Sequence, residues 1–459
     1  MALVLRDELF TWDFVEMLPD LKRIRLVLEN LGDEKLVKKL EQERGRGRDD
    51  YPVRAMWNFV VSFLLTGHVT WAGHLRELNR NRDLAMLCGF SPWRKLPGPD
   101  NLSRFLGVLL KMQPELMEMF HALVSTVGQL LPDFGRDLAA DSKAVRSFAV
   151  ASSKKLRKDG QPDARGEHDA AIAKKTQFVE KADGTTEEVL YEWFGFKLHL
   201  LVDTKYQLPV ASEVTKGLVA DTSRLEPLLK DWNEHHPELC ARTEQVAADK
   251  AYDDEENHLA TRRLGAQLLC PTRKMWREGQ AKVTDPQGEQ VILKLLANSD
   301  AGNLAYDQDG QLYCAFQEAP DRSWGWRQMV FKGYEADRGA VKYICPAKAY
   351  GCDCPSAEDC PKGLSTTVRV KLSTDPRIFT PTPRHTPKFQ RLYNRRTAIE
   401  RVNGILDNVL GLEWHTMRGR ARVELRVTLS LCAMLAMAVG RIKKGEANLL
   451  GSLVRAAAA

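Results

Sequence analysis

The stretch from Trp193 to Asp203 reads WFGFKLHLLVD, and in it Phe196, Leu198, Leu200 and Val202 alternate with Lys197 and His199. Alternation at period two marks a strand with one face buried and leaves no apolar stripe for a helix. YQLPVASEV, from Tyr206 to Val214, follows after a short turn, which predicts an antiparallel hairpin or meander. Two flanking segments constrain the fold further. GRDLAADSKAV upstream and EQVAADKAYDD downstream are short apolar runs that each end in an acid, so Asp141 and Asp249 are expected at the ends of buried strands. Strand ends are where α/β sheets place chemistry.

Other signals set the order of the remaining elements. Apolar spacing of three and four makes the first 130 or so residues helical, broken by Gly67, Gly89 and the loop from Ser91 to Asp100, with Asp100 as the expected N-cap. Arg76, Arg80, Arg82, Arg94, Lys95 and Arg104 lie between these helices. They suit either a helix-turn-helix-like DNA reader or a bundle with ordinary solvated arginines. A basic segment, Ser152 to Lys175, precedes the meander. Helices are expected from Asp221 and after Asp253, where Asp253 and Glu256 have capping-box spacing, and QLLCP at Gln267 to Pro271 reads as a buried strand. From about Arg273 to Arg384 the chain is rich in turns, aromatic residues and cysteines, as an inserted lobe of β or irregular structure would be. The last apolar stretch, VELRVTLSLCAMLAMAVGRI, is expected to close the core: Val427 to Val439 is too short and too interrupted for a membrane span.

FQRLYNRRTAIERVNGILDNVLG then reads as one helix carrying Tyr393, Arg396 and Glu400 on a single stripe beside an apolar stripe of Ile399, Val402, Leu406, Val409 and Leu410. Lys388, Arg391, Arg395, Arg396 and Arg401 crowd around Glu400, which points to a phosphate backbone as the partner. The formal charge of +6 and pI near 8.7 are compatible with such a local basic stripe without requiring it. The N-terminus shows no export signal and the nine cysteines are an odd number, so a reduced, cytoplasmic location is expected. Four of them, Cys345, Cys352, Cys354 and Cys360, could close a structural Zn²⁺ site; reduced free thiols are the alternative.

Three acids on separate elements, Asp141, Asp249 and Glu400, are what a two-metal phosphoryl-transfer site needs, because two carboxylates cannot ligate both ions and leave room for phosphate and water. Counting acids decides nothing in a chain with 61 of them; their placement carries the argument. With AADSK at Asp141, GFKLHLLVDTKYQLPVASEVTKGLVAD in the meander, ADKAYD at Asp249 and YNRRTAIERVNGILD at Glu400, the chain resembles the prokaryotic insertion-sequence DDE transposases. That group has an RNase H-like core and a Tyr-x2-Arg-x3-Glu-x6-Lys signature. The N-terminal stretch YP…HLRELNRNRDLAMLCGF…LSRFL is also similar to the helical domain that precedes this core in many members. One position departs from the signature: its lysine would fall at Asp407.

The resemblance implies an α/β fold, an RNase H-like mixed sheet flanked by helices, with an N-terminal helical domain and an insertion lobe before the last catalytic helix. The domains would be 1–133, a helical DNA-end-binding domain; 134–272, the first part of the core; 273–384, the lobe; and 385–459, the catalytic Glu helix and C-terminal helix. Asp141, Asp249 and Glu400 would bind two Mg²⁺ ions, for which Mn²⁺ could substitute, and cut and join DNA strands. Tyr393, Arg395, Arg396, Arg401, Lys143 and Lys250 would contact the DNA. The expected partners are double-stranded DNA, as terminal inverted repeats and target, and a second copy of the chain on paired ends, in the bacterial cytoplasm at the nucleoid and away from any membrane. Two other functions fit the same motifs: a transposase-derived DNA-binding protein without chemistry, and an RNase H-like nuclease without strand transfer.

Overall fold

The computed structural model describes residues 19–46, 50–91, 93–149, 151, 167–279, 281–284, 290–297, 304–317, 324–351, 353–354, 356–357, 360 and 367–452, except 181–185. Most of the basic segment from Ser152, and Cys352, lie outside the described residues. The chain forms two compact units, 1–242 together with 397–459, and 243–396.

The first unit opens with the expected helices: α1 (Pro19–Asn30), α2 (Glu34–Arg44), α3 (Val53–Leu65), α4 (Trp71–Arg80), α5 (Arg82–Cys88), α6 (Pro99–Leu109) and α7 (Gln113–Leu130). Trp57, Phe59 and Phe120 are fully buried in it. Asp33 is buried there as well, taking a hydrogen bond from Arg54 at 2.6 Å and another from the Trp57 indole. Asp100 is not the cap of α6: the helix begins at Pro99, and the Asn101 side chain receives the Gly98 N–H instead. Asp100 lies in the first turn, where a carboxylate favours the positive end of the helix dipole.

Four strands follow: β1 (Asp137–Arg146), β2 (Ala171–Glu180), β3 (Thr186–Asp203) and β4 (Leu208–Lys216). All pair antiparallel through β3. Its first half meets β2, and its second half lies between β1 and β4. Phe196, Leu198, Leu200 and Val202 are buried as the alternation requires, but so are His199, Leu201 and Asp203 between and after them, so from Leu198 on the strand is covered on both faces. The turn from β3 to β4 is fixed by buried Asp203, which accepts the N–H of Tyr206 at 2.7 Å and of Gly135 at 2.8 Å. After a 3-10 turn at Asp221–Arg224 comes α8 (Leu225–His235), then the short α9 (Pro237–Cys240).

The second unit begins with β5 (Gln245–Ala248), α10 (Glu255–Arg263) and β6 (Gln267–Leu269), and β5 and β6 pair parallel. The inserted region is mostly β, as expected. β7 (Ala281–Thr284), β8 (Gln290–Leu295), β9 (Leu304–Tyr306), β10 (Leu312–Gln317) and β11 (Trp324–Gln328) form one antiparallel sheet. β12 (Val330–Glu335), β13 (Ala340–Ile344) and, after the short α11 (Pro346–Tyr350), β14 (Thr367–Lys371) form another. Tyr343, Phe379, Leu312 and Val341 make the core of this lobe, against which Trp276 packs, while Trp326 packs on a second small core.

The unit ends in α12 (Pro387–Tyr393), and the chain returns to the first unit in α13 (Thr397–Asn408) and α14 (Arg420–Lys443). α14 is long and apolar enough to cross a membrane, but 94% of its apolar window is buried inside the protein, against α7, α1 and β4. Its first N–H groups are met by acids, Arg420 N donating to Asp169 at 2.6 Å and Gly419 N to Glu167.

Gly195 is where β3 changes partner, opposite both Arg146 of β1 and Ala171 of β2. Its φ of +154° is one that side chains disfavour, and a Cβ would press on the Val145 carbonyl and lie 2.6 Å from Ser147 N. Gly195→Ala is therefore expected to cost roughly 1–3 kcal/mol or more, read as a lowered urea midpoint.

Candidate active site

In the first unit, Asp141 lies within β1 rather than at its end, because the strand continues to Arg146. The apolar run that suggests an end at Asp141 marks only the buried half; the ladder to β3 goes on through Ser142, Lys143 and Ala144. Asp141 is half-buried opposite Leu200 and accepts the Ser142 N–H at 2.8 Å. Two residues on and on the same face, Lys143 is ion-paired to Asp407 of α13, with side-chain exposures of only 16% and 14%. Asp407 is seven residues after Glu400, two turns along the same helix face. The departure from the family signature is thus matched within this chain: an acid stands where the lysine would, and a lysine from β1 meets it. The pair ties the strand face of Asp141 to the helix face of Glu400. Burial pushes the Asp407 carboxyl up although Lys143 pulls it down, and its Oδ1 is buried without a hydrogen-bond partner. Glu400 is exposed in the first turn of α13 and Arg401 just after it, while Ile399, Val402 and Leu406 are buried as the stripe required; Val409 and Leu410 lie past the helix end at Asn408, Leu410 buried and Val409 only half-buried.

The meander motif is internally bonded. Lys197 pairs with Asp221 at 2.8 Å and donates to the Val219 carbonyl. His199 is fully buried, bonded to Thr215 at 2.8 Å, and burial pushes its ring down to about 4. It is a core histidine satisfied on one side only: Nδ1 is buried without a hydrogen-bond partner, 4.0 Å from the Asp221 carboxylate.

In the second unit, Asp249 follows β5 directly, as expected, and caps a 3-10 turn over Lys250–Tyr252 by accepting the Ala251 N–H at 2.7 Å. Lys250 is exposed beside it. Tyr393 and Arg396 do not share one continuous helix with Glu400. α12 ends at Tyr393, a 3-10 turn covers Asn394–Arg396, and α13 starts at Thr397, so the single stripe expected from 3.6-residue spacing does not exist. Instead Tyr393 is set by packing: its ring stacks on Phe389 at 5.8 Å, and Phe389 is buried against Ala247 of β5 and Leu269 of β6. Burial raises the phenol, Arg396 lowers it, and the nearby Asp249 charge raises it. The Arg396 guanidinium sits 6.0 Å from the Tyr393 ring centre. Asp249, Tyr393 and Arg396 therefore gather on one side of this unit, with Arg395 exposed next to them.

Sequence spacing gives no sign of the support under Asp249. It assigns the cap of α10 to Asp253, but Asp254 is the cap, accepting the Glu256 N–H at 3.0 Å. Asp253 is buried and receives Arg377 at 2.5 Å, Arg384 at 2.8 Å, the Arg273 N–H at 2.7 Å and His258 at 3.2 Å. Burial pushes its carboxyl up, and the His258 bond with the two arginines outweighs that and holds it below the usual range. Arg384 also donates to the carbonyls of Cys270 and Arg377, fixing the approach to α12. No hydrophobic period signals such a hub.

The eight described cysteines are free thiols. Cys345, Cys354 and Cys360 are half-buried, and so is Cys314 of β10, which lies outside the set that spacing suggests. Arg327, opposite Cys314 in the ladder, donates to the Asp353 carbonyl next to Cys354. Burial first, then the charges of Cys345, Cys360 and Cys354, pushes the Cys314 thiol up to about 11.

The sequence profile of the transposase DDE domain matches residues 159–436. The chain belongs to that family, as the motifs lead one to expect, and its mixed α/β fold with a helical N-terminal region is the expected class. The matched span includes Asp249, Tyr393, Arg396 and Glu400; Asp141 lies upstream of it. No curated protein matches the chain. Among solved structures, the piggyBac transposase synaptic complex with hairpin DNA is similar over 95% of this chain and 79% of that one, at 10% identity and a TM-score of 0.37. At that score the likeness supports nothing further.

Removing the Asp253 carboxylate would leave two arginines buried without a counter-charge, so Asp253→Ala is expected to destabilise the protein by about 3–5 kcal/mol in chemical denaturation. A pH dependence follows from His258, which burial pushes down to about 4. The unfolded chain takes this proton near pH 6.5 and the folded protein does not, so stability is full above that value and is lost as pH falls toward 4. Thermal melts at pH 7 and pH 5 should show the lower midpoint at pH 5, with a smaller difference in His258→Gln.

Proposed function

We propose that the protein is the transposase of a prokaryotic insertion sequence, which binds the element's terminal inverted repeats, cleaves their strands and joins the freed 3′-hydroxyl to target DNA. The family match carries this reading, since two of the three proposed metal ligands, Asp249 and Glu400, lie inside it. Asp141, Asp249 and Glu400 offer carboxylate oxygens at partly or fully exposed positions, a donor set suited to hard cations such as Mg²⁺ or Mn²⁺. When bound, two such ions supply activation of the attacking oxygen and charge stabilisation of the leaving one. Tyr393 and Arg396 hold a phosphodiester by a phenol donor and a guanidinium fork, and Lys250, Arg395 and Arg401 add positive charge along the strand. Lys143, expected at the DNA, has a positioning role instead, holding Asp141 and Glu400 in place through the contact of its ammonium with Asp407.

The helices of residues 1–133, with Arg76, Arg80, Arg82, Arg94, Lys95 and Arg104 all exposed, bind the element ends. Two protomers work on paired ends in the bacterial cytoplasm. The cysteines of the insertion lobe, Cys314 beside Cys345, Cys352, Cys354 and Cys360, are candidate ligands of a structural Zn²⁺, with reduced free thiols as the alternative.

Mg²⁺-dependent nicking and joining of duplexes carrying the repeats that flank the coding region tests this function. Asp141→Asn, Asp249→Asn and Glu400→Gln should each lower the rate about a thousand-fold, the several kcal/mol a metal site contributes. Wild-type rates in all three would refute the site, nicking without joining would make the protein a nuclease, and DNA binding without nicking would leave a binding protein. Asp407→Lys, which sets like charges together, should lower activity at least tenfold, and the double exchange Lys143→Asp with Asp407→Lys should restore part of it.

A further inference from the structure

A second group of ionisable side chains lies in the first unit, on elements that carry none of the three acids. His121 of α7, with Asp231 and His235 of α8, brings three ligand atoms within 4.8 Å of one another. Asp231 Oδ1 is 3.9 Å from His121 Nε2 and 3.1 Å from His235 Nδ1. Positions 231 and 235 are four apart on α8, so the helix itself sets their spacing. The two imidazoles stack, with centres 3.7 Å apart and planes 5° from parallel.

Behind this group stands a hydrogen-bonded support. His121 Nδ1 meets His236 Nε2 at 3.1 Å, and His236 Nδ1 meets the Ser125 hydroxyl at 3.1 Å. Burial, then the neighbouring His235 and His236, pushes the His121 ring down to about 3; burial and His235 push His236 down to about 4. Both rings are neutral at pH 7. The relay fits either direction of donation; with the proton of His121 on Nδ1, Nε2 is a bare lone pair, the tautomer of a metal-ligating histidine whose other nitrogen is hydrogen-bonded.

His235 Nδ1 also meets the Asp231 backbone carbonyl at 3.0 Å, so in the absence of an ion that nitrogen carries the proton, yet the contacts present do not satisfy the Asp231 carboxylate fully. The gap of 3.9 Å between His121 Nε2 and Asp231 is too long for a hydrogen bond, and Asp231 Oδ2 is buried with no hydrogen-bond partner. Burial raises the Asp231 carboxyl, the response of an acid whose charge is undercompensated.

We infer that His121, Asp231 and His235 form a binding site for one divalent transition-metal ion of the zinc class, with His236 orienting the His121 ring. Two imidazoles and one carboxylate favour Zn²⁺ or Co²⁺ over Mg²⁺, and three protein ligands leave a fourth position for water. The His235 side chain is 46% exposed, so it can tilt out of its stack toward an ion arriving from solvent. The bound ion bolts α7 to α8. Its preference for nitrogen separates it from the all-oxygen set of Asp141, Asp249 and Glu400.

Titrating the full-length protein with Co²⁺ and recording its visible spectrum tests this. Beside any thiolate bands from the cysteines of the insertion lobe, we expect one equivalent with the d–d bands of a nitrogen and oxygen site, undisturbed by millimolar Mg²⁺. His235→Ala and Asp231→Asn should remove that equivalent while leaving the circular dichroism spectrum unchanged, and His236→Ala should weaken it about tenfold. If His235→Ala keeps every bound Co²⁺ with unchanged affinity, or if the only bands are those of thiolate ligands, the site does not exist.

Discussion

The second unit depends on a single buried carboxylate. Asp253 receives donors from three stretches that are far apart in sequence: His258 on α10, the Arg273 backbone just past β6, and Arg377 and Arg384 on the segment that leads into α12. A charge in so little water is tolerable only because two guanidinium groups answer it and each oxygen is hydrogen-bonded. Four residues upstream is Asp249; nine residues after Arg384 is Tyr393. The hub thus holds the turn bearing the proposed metal ligand and the helix bearing the proposed phosphate contact in one frame, although neither residue touches it.

The first unit solves the corresponding problem with Lys143 and Asp407. Strand β1 and helix α13 are joined there by charge as well as by the apolar stripe of Ile399, Val402 and Leu406. Because each partner is close in sequence to a proposed ligand, the geometry of the ligands inherits the stiffness of the pair. Both units therefore place an ion pair behind a proposed ligand, one buried at a hub and one at a strand–helix contact.

Much of this is legible in the sequence, for physical reasons that differ by element. The β3–β4 meander declares itself through its apolar residues at period two, although the strand is buried on both faces from Leu198 on and the second face carries the polar His199 and Asp203. Asp249 can be located because β5 is a short strand whose last three residues, Val246 to Ala248, are apolar and buried, and the polar chain resumes at once. Asp141 is misplaced within its element because β1 continues past its apolar half as a partly exposed strand. The break at Asn394–Arg396 is invisible because those residues have ordinary helix propensity, and what ends α12 is the packing of Phe389 and Tyr393 onto β5 and β6. The ion pairs of Asp253 and Asp407 cannot be read at all: their arginine and lysine partners lie 124 and 131 residues away in one case and 264 in the other, and no local pattern encodes a contact of that span.

Strand β3 has a further consequence, for how the sheet assembles. β1, β2 and β4 all draw their antiparallel hydrogen bonds from this one strand of 18 residues, and the described ladders join none of the three directly to another. Until β3 is in place the other three have no antiparallel partner, so these ladders form and open as one cooperative block. Backbone amides of β1 and β4, on opposite edges of β3, should accordingly share a single opening free energy in hydrogen exchange, as members of one foldon.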